Sequence, residues 1–319
     1  MKKIKFIFIG YGNIAKRHIS IISKILPNSF FYIAVNNPEK YVQKKNIKIT
    51  KFKNLKVDKS IDYIFICSPA TSHVDYISRL SKLNKKIFVE KPLAHNLVSI
   101  KKLKNLSQKK KKRILVGYVF RKNNIAIKIK KLISSNYLGK IVKVNSKASS
   151  YLPDWRKNKN FRKSVSSQKK LGGGVLLELS HELDYLLWFF KDITVINSEL
   201  FYYKKFNLDV ESGAKINCLI NKNSLLNIEI DFHSKKTLRY CEIIGSKKKL
   251  IWYLNKNKLE IINNISLKKK TFHFFDDMYR NQIKFFLSKK NFGNSLTESI
   301  RVISLINQIK KKNIGAQNI

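Results

Sequence analysis

Cysteine is scarce in this sequence, and its spacing excludes two common ways of stabilising a chain. The 319 residues contain three cysteines, Cys67, Cys218 and Cys241. They lie far apart in apolar, strand-like surroundings, so neither a disulfide framework nor a zinc site is predicted. Unpaired thiols are typical of reducing compartments, and we therefore expect buried thiols in a cytoplasmic protein.

Long apolar runs are also missing. A helix that crosses a bilayer needs about 18 or more consecutive apolar residues, and the sequence contains no such run. Its start, Met1-Lys2-Lys3 followed by apolar residues up to position 9, superficially resembles a signal peptide, but Lys5 interrupts the run and Gly10 ends it. We therefore expect no membrane segment and no leader.

Acidic residues are few. The chain has 20 Asp and Glu against 66 Lys and Arg, a formal net charge of +46, which is typical of nucleic-acid-binding proteins. The excess is spread along the whole chain without a DNA-binding motif, so we expect weak, salt-sensitive association with DNA and no specific nucleic-acid partner. The densest run, Lys109 to Arg113, is expected to be a solvated connection. A basic surface still favours phosphorylated substrates.

The length of the chain suits two domains with separate cores. Strands and helices alternate over residues 1–121, which predicts an α/β domain with a Rossmann-type parallel sheet. Over residues 122–319, long strand-like runs joined by short polar turns predict an α+β domain with a large, mostly antiparallel sheet. The segments Leu93 to Ser107 and Gly172 to Phe190 each predict one continuous helix. Residues 313–319 are expected to be disordered.

A glycine-rich turn joins the first predicted strand to the first predicted helix. The strand, Ile4 to Ile9, runs into Gly10-Tyr11-Gly12-Asn13-Ile14-Ala15, and helical periodicity follows. In such a turn one glycine allows the bend, the next lets a pyrophosphate approach the backbone, and the helix amino end faces the phosphates. The segment therefore predicts a dinucleotide site formed by Gly10, Tyr11, Gly12, Asn13 and Ile14.

The second predicted strand, Phe30 to Val35, ends where such a site contacts the adenosine ribose. An acidic residue there would select the free 2′-hydroxyl of NAD, but the sequence has Asn36 and Asn37, with no acid until Glu39. Asparagines bind a ribose without charge, and the nearby Lys40 suits a 2′-phosphate, so the choice between NAD and NADP stays open. The segment also has the composition of a simple turn.

Two further strands end in residues that suit a ligand site. Ile61 to Cys67 is followed by Ser68 and Pro69 and by a helix with His73, and Lys86 to Val89 is followed by Glu90-Lys91-Pro92. Carboxyl ends of parallel strands line the ligand crevice. An ordinary surface turn also fits the last of these motifs. The remaining candidate cofactor contacts are therefore Ser68, Pro69, His73, Glu90 and Lys91, and a cis Lys91–Pro92 bond would turn the lysine into the crevice.

Three motifs occur in one order: Gly10-Tyr11-Gly12 with Arg17-His18, then Glu90-Lys91-Pro92, then Gly172-Gly173-Gly174 leading to His181 and Asp184. In this order and spacing they resemble the Gfo/Idh/MocA family of NAD(P)-dependent oxidoreductases over nearly the whole chain. The resemblance implies hydride transfer between a nicotinamide and a secondary carbinol or ketone of a sugar or nucleotide-sugar derivative. It also implies a homo-oligomer, either a dimer or a tetramer.

The resemblance implies roles for single residues. Lys91 would contact the nicotinamide and the reacting hydroxyl, and His181 would be the general acid or base. The family commonly has an aspartate four residues before that histidine, whereas here position 177 is Leu177 and the acid is Glu178. Residues three apart on one helix share a face, so Glu178 can still meet His181, with Asp184 one turn later. Either Glu178 replaces the aspartate, or the relay is altered.

The stretch Tyr151 to Arg156 is similar to a subgroup associated with surface-polysaccharide and nucleotide-sugar clusters. Trp155 and Arg156 are expected to contact the substrate, because the planar guanidinium of Arg156 suits a phosphate or carboxylate. The alternative for both residues is that they only hold an exposed loop in place. No metal site is expected, because no second Glu-x-x-His pair occurs in the sequence.

A non-catalytic regulator that keeps the fold as a cofactor or sugar sensor is the alternative function. The presence of both Lys91 and His181 argues against it. Without the resemblance, His181 is better explained as a helix histidine that a neighbouring carboxylate satisfies.

Overall fold

A computed structural model describes residues 3–54, 60–156, 160–275, 277–288, 290–293 and 295–319, except the side chain of Arg156. In this part of the chain the strands are β1 (Ile4–Ile9), β2 (Ser29–Val35), β3 (Ile47–Lys51), β4 (Tyr63–Ile66), β5 (Lys86–Val89), β6 (Ile114–Val116), β7 (Ile141–Tyr151), β8 (Ile193–Tyr202), β9 (Gly213–Ile220), β10 (Ser224–Asp231), β11 (His233–Gly245), β12 (Lys248–Tyr253), β13 (Lys258–Asn263), β14 (Lys269–His273) and β15 (Asn313–Asn318). The α-helices are α1 (Asn13–Ile25), α2 (Ala70–Leu80), α3 (Leu97–Ile100), α4 (Gln108–Lys111), α5 (Asn124–Ser134), α6 (Val175–Glu178), α7 (Ser180–Phe190), α8 (Met278–Leu287) and α9 (Ser295–Lys311).

The first sheet confirms the predicted Rossmann-type architecture. Its six strands are all parallel, in the order β3-β2-β1-β4-β5-β6. Phenylalanine supplies much of its core: the ring centroids of Phe8 and Phe65 are 4.5 Å apart, and those of Phe65 and Phe88 are 5.0 Å apart. Stacked aromatic rings bury large apolar areas, so short strands suffice to hold this sheet together.

The carboxyl edge of this sheet is continuous. Hydrogen bonds between neighbouring strands extend one residue beyond β1, β4, β5 and β6, through the amides of Gly10 (2.9 Å to Ala34), Cys67 (2.8 Å to Ile9), Glu90 (2.9 Å to Ile66) and Gly117 (2.8 Å to Val89). The turns that follow these strands therefore begin from fixed points beside one another. This edge is where an α/β sheet binds its ligand.

The continuous helix predicted over Leu93 to Ser107 is wrong. The α-helix there is only α3, followed by a 3-10 turn over Lys101–Leu103. The side chain of Asn96 accepts a hydrogen bond of 2.9 Å from the amide of Ser99. An asparagine that caps in this way starts a helix rather than continuing one, so the residues before it remain outside.

The second sheet has nine strands in the order β14-β13-β12-β11-β7-β10-β9-β8-β15. All neighbours are antiparallel except β7 with β10 and β8 with β15. The predicted α+β architecture with a large, mostly antiparallel sheet is therefore confirmed. Helix α7 packs on it through Tyr185, whose ring lies 5.3 Å from that of the fully buried Trp252.

Disorder over residues 313–319 is also a wrong prediction. Residues Asn313–Asn318 form β15, which pairs with β8 in parallel. The amide of Leu200 donates to the side chain of Asn313 at 3.1 Å, and the amide of Ile319 donates to Tyr202 at 3.1 Å. Without β15, β8 would be an edge strand with unpaired backbone groups, which can pair with any chain segment. The polar composition of residues 313–318 therefore did not prevent them from forming β15.

The chain divides into two compact units. One contains Met1–Val119 and Tyr279–Ile300, and the other contains Phe120–Met278 and Arg301–Ile319. The first unit thus includes most of α8, where the ring of Phe286 lies 5.0 Å from that of Phe65, although the sequence analysis placed this helix with residues 122–319. In the described part of the chain no helix is long and apolar enough to cross a membrane.

Candidate active site

Gly10 is a glycine that the fold itself requires. Its φ is +94°, and a Cβ at this position would lie 2.7 Å from the carbonyl oxygen of Cys67. Both the left-handed backbone and this close approach exclude any side chain. Gly10 therefore lets the chain turn from β1 towards α1 across the end of β4.

Gly12 differs from Gly10, because no described residue requires a glycine there. Its φ of −75° is ordinary, it precedes α1 as the N-cap, and a Cβ would meet no atom of the described residues within 4 Å. No side chain caps this end of the 13-residue helix, and its first turn has no acidic residue. The first amides of a helix attract anions, so open space at Gly12, Asn13 and Ile14 fits a dinucleotide pyrophosphate.

The outer rim of this turn carries aromatic and amide side chains. The ring of Tyr11 lies 5.2 Å from that of Tyr41, and burial, with a smaller contribution from Tyr41, raises the pKa of Tyr11. Asn36 and Asn37 follow β2 with exposed side chains. The rim at these two positions therefore offers hydrogen-bonding groups without charge.

The turn after β4 is held by the helix that follows it. Pro69 is the N-cap of α2, and the hydroxyls of Ser68 and Ser72 are 2.8 Å apart. His73 is only 1% exposed: its Nδ1 lies 2.8 Å from the carbonyl oxygen of Pro92, and its Nε2 lies 2.7 Å from that of Ser68. Both ring nitrogens thus face backbone carbonyls, so the imidazole supports two turns, and a direct contact with a cofactor stays a prediction.

The burial of His73 predicts a pH dependence of stability. Burial, opposed by the hydrogen bonds to Ser68 and Pro92 and by Glu90 and reinforced by Lys91, lowers the pKa of His73. A lowered pKa means that the folded protein binds this proton less readily than the unfolded chain, whose histidines titrate near about 6.5. The contribution is complete above that pH and is lost as the pH falls from it through the lower pKa of the folded protein.

We expect urea denaturation to show a free energy of unfolding that falls between pH 7 and pH 5. The contribution of His73 to the slope is at most about 1.4 kcal/mol per pH unit. The control is His73→Asn, in which the decrease should be smaller. Identical slopes in both proteins would show that this histidine does not titrate with folding.

The motif Glu90-Lys91-Pro92 directly follows β5. The Lys91–Pro92 peptide bond is cis, as the sequence analysis considered. The Oε1 atom of Glu90 lies 2.6 Å from Nε2 of the fully buried His18, and its Oε2 accepts a hydrogen bond of 3.2 Å from the amide of Lys91. The carboxylate thus bonds to groups of the protein itself. The side chain of Lys91 is half-buried. Cofactor contacts of Glu90 and Lys91 stay predictions.

In the second unit, the single helix predicted over Gly172 to Phe190 is wrong. A 3-10 turn, Lys169–Leu171, precedes α6, which ends at Glu178, and α7 begins at Ser180. Leu179 separates the helices with φ −93° and ψ 21°, outside the helical range. The half-buried Glu178 and His181 therefore lie on consecutive helices rather than on one face of a single helix.

Two carboxylates of α7 are buried and paired with arginines. Asp184 is held in a fork by Arg121, with Nη2 2.7 Å from Oδ1 and Nε 2.9 Å from Oδ2. Glu182 accepts a hydrogen bond of 2.9 Å from Nε of Arg239. Buried carboxylates need such partners, so these pairs anchor α7, and a substrate contact of Asp184 stays a prediction. Neither arginine was predicted as a partner, although two acids in a mostly apolar helix are a sequence signal for buried cations nearby.

The surroundings of His181 are aromatic. Its ring lies 5.2 Å from the ring of Phe120. The guanidinium of Arg239 lies 4.6 Å from the centre of the same Phe120 ring. A cation over an aromatic face is a favourable contact. This arrangement fixes the aromatic wall beside His181 through Arg239 and its carboxylate partner.

The predicted substrate loop lies at the end of β7. Residues Leu152–Arg156 form a 3-10 turn in which Trp155 is 38% exposed, with its ring 5.1 Å from that of Phe232. The side chain of Arg156 lies outside the described part of the structure. Trp155 is therefore fixed on one side and open on the other, which suits a contact surface.

The three cysteines are free thiols. Cys218 and Cys241 are buried as predicted, whereas Cys67 is only half-buried. Burial raises the pKa of Cys218 to about 12, and burial also raises the pKa values of Cys67 and Cys241. Thiols in this state are unreactive at neutral pH. Among the described residues, no group of three or more His, Cys, Asp or Glu side chains is placed to hold a metal ion.

The chain was compared with protein-family profiles and with proteins of known structure. Residues 4–118 match a profile described as an oxidoreductase family with an NAD-binding Rossmann fold, and residues 126–251 match the GFO/IDH/MocA C-terminal domain. Among solved structures, a 3-ketoreductase from Actinomadura kijaniata with NADP and TDP-benzene has a TM-score of 0.81 at 16% identity and covers 100% of this chain and 99% of its own. A levoglucosan dehydrogenase complex with NADH has a TM-score of 0.80 at 16% identity, covering 98% of each chain.

A curated relative is similar in sequence over part of its length. Glucose-6-phosphate 3-dehydrogenase of Bacillus subtilis is 30% identical over 184 residues, which are 54% of this chain and 51% of that protein. The chain thus spans about half the length of this curated relative. Because both family profiles match in order and the glycine turn has the geometry that a dinucleotide needs, the chain belongs to the GFO/IDH/MocA oxidoreductase family, which has an NAD-binding Rossmann fold.

Proposed function

We propose that this protein is an NAD(P)-dependent oxidoreductase that acts on a secondary carbinol or ketone of a sugar or nucleotide-sugar derivative. The observation that carries the proposal is the open glycine at position 12, at the amino end of α1 and on the same sheet edge as the turn that bears Lys91. The first unit would bind the dinucleotide. The second unit, Phe120–Met278 with Arg301–Ile319, would bind the sugar and form the oligomer.

The bound nicotinamide supplies the hydride acceptor or donor at its C4 atom. In the oxidative direction the carbinol carbon loses a hydride, its hydroxyl loses a proton, and a ketone remains. We assign the proton to Nε2 of His181, with Lys91 binding the reacting oxygen through its ammonium group. Glu178 would orient the imidazole. Each role rests on the resemblance and on the half-buried position of the side chain.

The substrate is proposed to be anionic. The net charge of +46 raises the local concentration of phosphorylated sugars around the protein, and Arg156 is suited to a phosphate. Trp155 offers a partly exposed ring on which a sugar or base can pack. Asp184, on α7, would also contact the substrate. Phosphorylated or nucleotide-linked sugars satisfy these features, and surface-polysaccharide biosynthesis is the proposed context.

The cofactor preference is expected to be modest. Asn36 and Asn37 carry no charge that would repel a 2′-phosphate and no carboxylate that would favour a free 2′-hydroxyl. We expect the Kd values of NADH and NADPH, measured by fluorescence titration, to differ by less than about a hundredfold, or about 2.7 kcal/mol. Asn36→Asp should shift the preference towards NADH. A larger preference in the wild type would point to a charged contact elsewhere.

A panel assay tests the activity. The protein is incubated with NAD⁺ or NADP⁺ and, separately, with glucose 6-phosphate, nucleotide-linked hexoses, inositol and unmodified hexoses, and absorbance at 340 nm is followed. We expect reduction of the cofactor with an anionic sugar. Tight dinucleotide binding without turnover on any compound, in either direction, would favour the regulator.

The oligomer is proposed to be a dimer or tetramer formed through the open face of the nine-stranded sheet. This face presents half-exposed polar pairs, such as Lys147 with Glu229 at 2.7 Å and Asn145 with Glu242 at 2.8 Å. Partly exposed ion pairs contribute little to the stability of one chain. Their regular arrangement on this face therefore suits a contact between subunits. The free cysteines suit the cytoplasm.

A further inference from the structure

We propose that two buried histidines, His18 and His73, are positioning residues for Lys91. The proposal rests on the proposed function, in which Lys91 binds the reacting oxygen. Neither imidazole is accessible to a substrate, because His18 is 0% exposed and His73 is 1% exposed. Each of them instead holds one of the two neighbours of Lys91 in the chain.

His18 holds the residue before the lysine. Its Nε2 lies 2.6 Å from Oε1 of Glu90, whose side chain is 12% exposed, so the carboxylate has little access to water that could replace the imidazole. The other oxygen of Glu90 accepts a hydrogen bond of 3.2 Å from the backbone amide of Lys91. One carboxylate therefore connects the imidazole of α1 to the backbone of the lysine.

The surroundings of this pair are built to keep it in place. The His18 ring lies edge-on to Phe88 at 4.9 Å and 6.4 Å from the ring of Tyr279. A Cβ at position 117 would lie 3.1 Å from Oε2 of Glu90, so Gly117 leaves the space that the carboxylate occupies. Removing one member of such a buried pair leaves the other without a partner.

His73 holds the residue after the lysine. Its Nδ1 faces the carbonyl oxygen of Pro92 at 2.8 Å, and its Nε2 faces the carbonyl oxygen of Ser68 at 2.7 Å. Carbonyl oxygens only accept hydrogen bonds, so the neutral imidazole donates to one of these two carbonyls at a time, through the ring nitrogen that carries its proton. The ring therefore ties the turn that contains Lys91 to the turn after β4.

Lys91 thus lies in the chain between Glu90 and Pro92, each of which is contacted by one buried imidazole. A long lysine side chain loses much rotational freedom when it is held for catalysis, and a fixed backbone limits the positions that its ammonium can reach. We infer that the two histidines act on the reaction through the orientation of Lys91.

A pair of substitutions separates positioning from simple stabilisation. In His73→Asn the side-chain amide stands close to the position of Nδ1 and can still donate to Pro92, whereas in His73→Gln it stands close to Nε2 and can donate only to Ser68. Each variant keeps one of the two contacts, so a purely structural role predicts equal effects. A positioning role predicts that the orientation of Lys91 changes more in His73→Gln, because this variant loses the contact with Pro92.

The first readout needs no substrate. Trace acetylation with acetic anhydride, followed by peptide mass spectrometry, gives the rate of modification of Lys91 relative to Lys16 in the same sample. We expect this ratio to change at least about threefold in His73→Gln and to stay near the wild-type value in His73→Asn, with equal melting temperatures. Equal ratios in the two variants would overturn the proposal.

The second readout uses the reaction. We expect kcat to be at least about tenfold lower in His73→Gln than in His73→Asn, with the same KM of the cofactor in the two variants. If wild-type protein turned over no sugar, the proposed function would fail, and the acetylation ratios would still decide whether the histidines position Lys91.

A second pair covers the case in which a His73 variant does not fold. His18→Gln keeps a donor near Nε2 for Glu90, and His18→Leu removes it. We expect the leucine variant to change the acetylation ratio and the glutamine variant to retain it. The same ratio in both would contradict the role of His18, because only the hydrogen bond to Glu90 distinguishes them.

Discussion

Gly12→Val is expected to leave the fold intact and to weaken dinucleotide binding by at least about a hundredfold, a loss of about 2.7 kcal/mol or more. The structure gives the reason: position 12 has an ordinary φ and open space around its Cα. A Cβ there meets no atom of the described residues within 4 Å, and a valine would occupy the space through which a pyrophosphate approaches the helix amides. Fluorescence titration with NADH measures the loss.

Gly10→Val is the matched control for this variant, and its effect should be the opposite. Position 10 has φ +94°, and a Cβ would lie 2.7 Å from the backbone of Cys67, so a β-branched residue is excluded by both conformation and space. We expect Gly10→Val to unfold or aggregate, while the melting temperature of Gly12→Val falls by only a few degrees. Unchanged NADH binding in a folded Gly12→Val protein would show that the cofactor does not approach this turn.

Lys91→Ala and His181→Ala are each expected to lower kcat by about a hundredfold or more while NADH binding survives. The effect follows from the roles proposed for the two side chains, one binding the reacting oxygen and the other moving its proton. Glu178→Gln should lower kcat less, because the amide keeps a hydrogen-bonding group for the imidazole. Steady-state kinetics on a substrate from the panel, with titration of NADH, separate turnover from binding.

Two variants control for general effects of removing a charge or a ring. Lys102 forms an exposed ion pair with Asp75, and His273 is an exposed residue of β14. Alanine at either position should leave kcat unchanged. Normal turnover in both Lys91→Ala and His181→Ala would refute the assignment. A Glu178→Gln enzyme equal to the wild type would show that this acid does not replace the family aspartate.

The parts of the site that could be predicted depend on local chain geometry. The glycine turn is defined by residues within one strand-turn-helix unit, and the spacing of its glycines was sufficient to predict it. The parallel sheet was predictable for the same reason, because alternating strands and helices leave few arrangements of the chain.

The parts that could not be predicted depend on partners far along the chain. The contact of Glu90 with His18, which is 72 positions away, was not predicted. Arg121 and Asp184 are 63 positions apart, and the hydrophobic periodicity of the sequence cannot predict such a pair. The break at Leu179 and the pairing of β15 likewise arise from surrounding structure that overrides local preference.

Transfer of deuterium tests the central claim most directly. The protein is mixed with C4-deuterated NADH or NADPH and the keto form of each sugar in the panel, and the alcohol product is weighed by mass spectrometry. Because hydride transfer carries the C4 hydrogen to the carbinol carbon, one stereochemical form of the labelled cofactor should give a product heavier by about one mass unit. An unlabelled product with both stereochemical forms, or binding of the dinucleotide without any product, would contradict the assignment as an oxidoreductase.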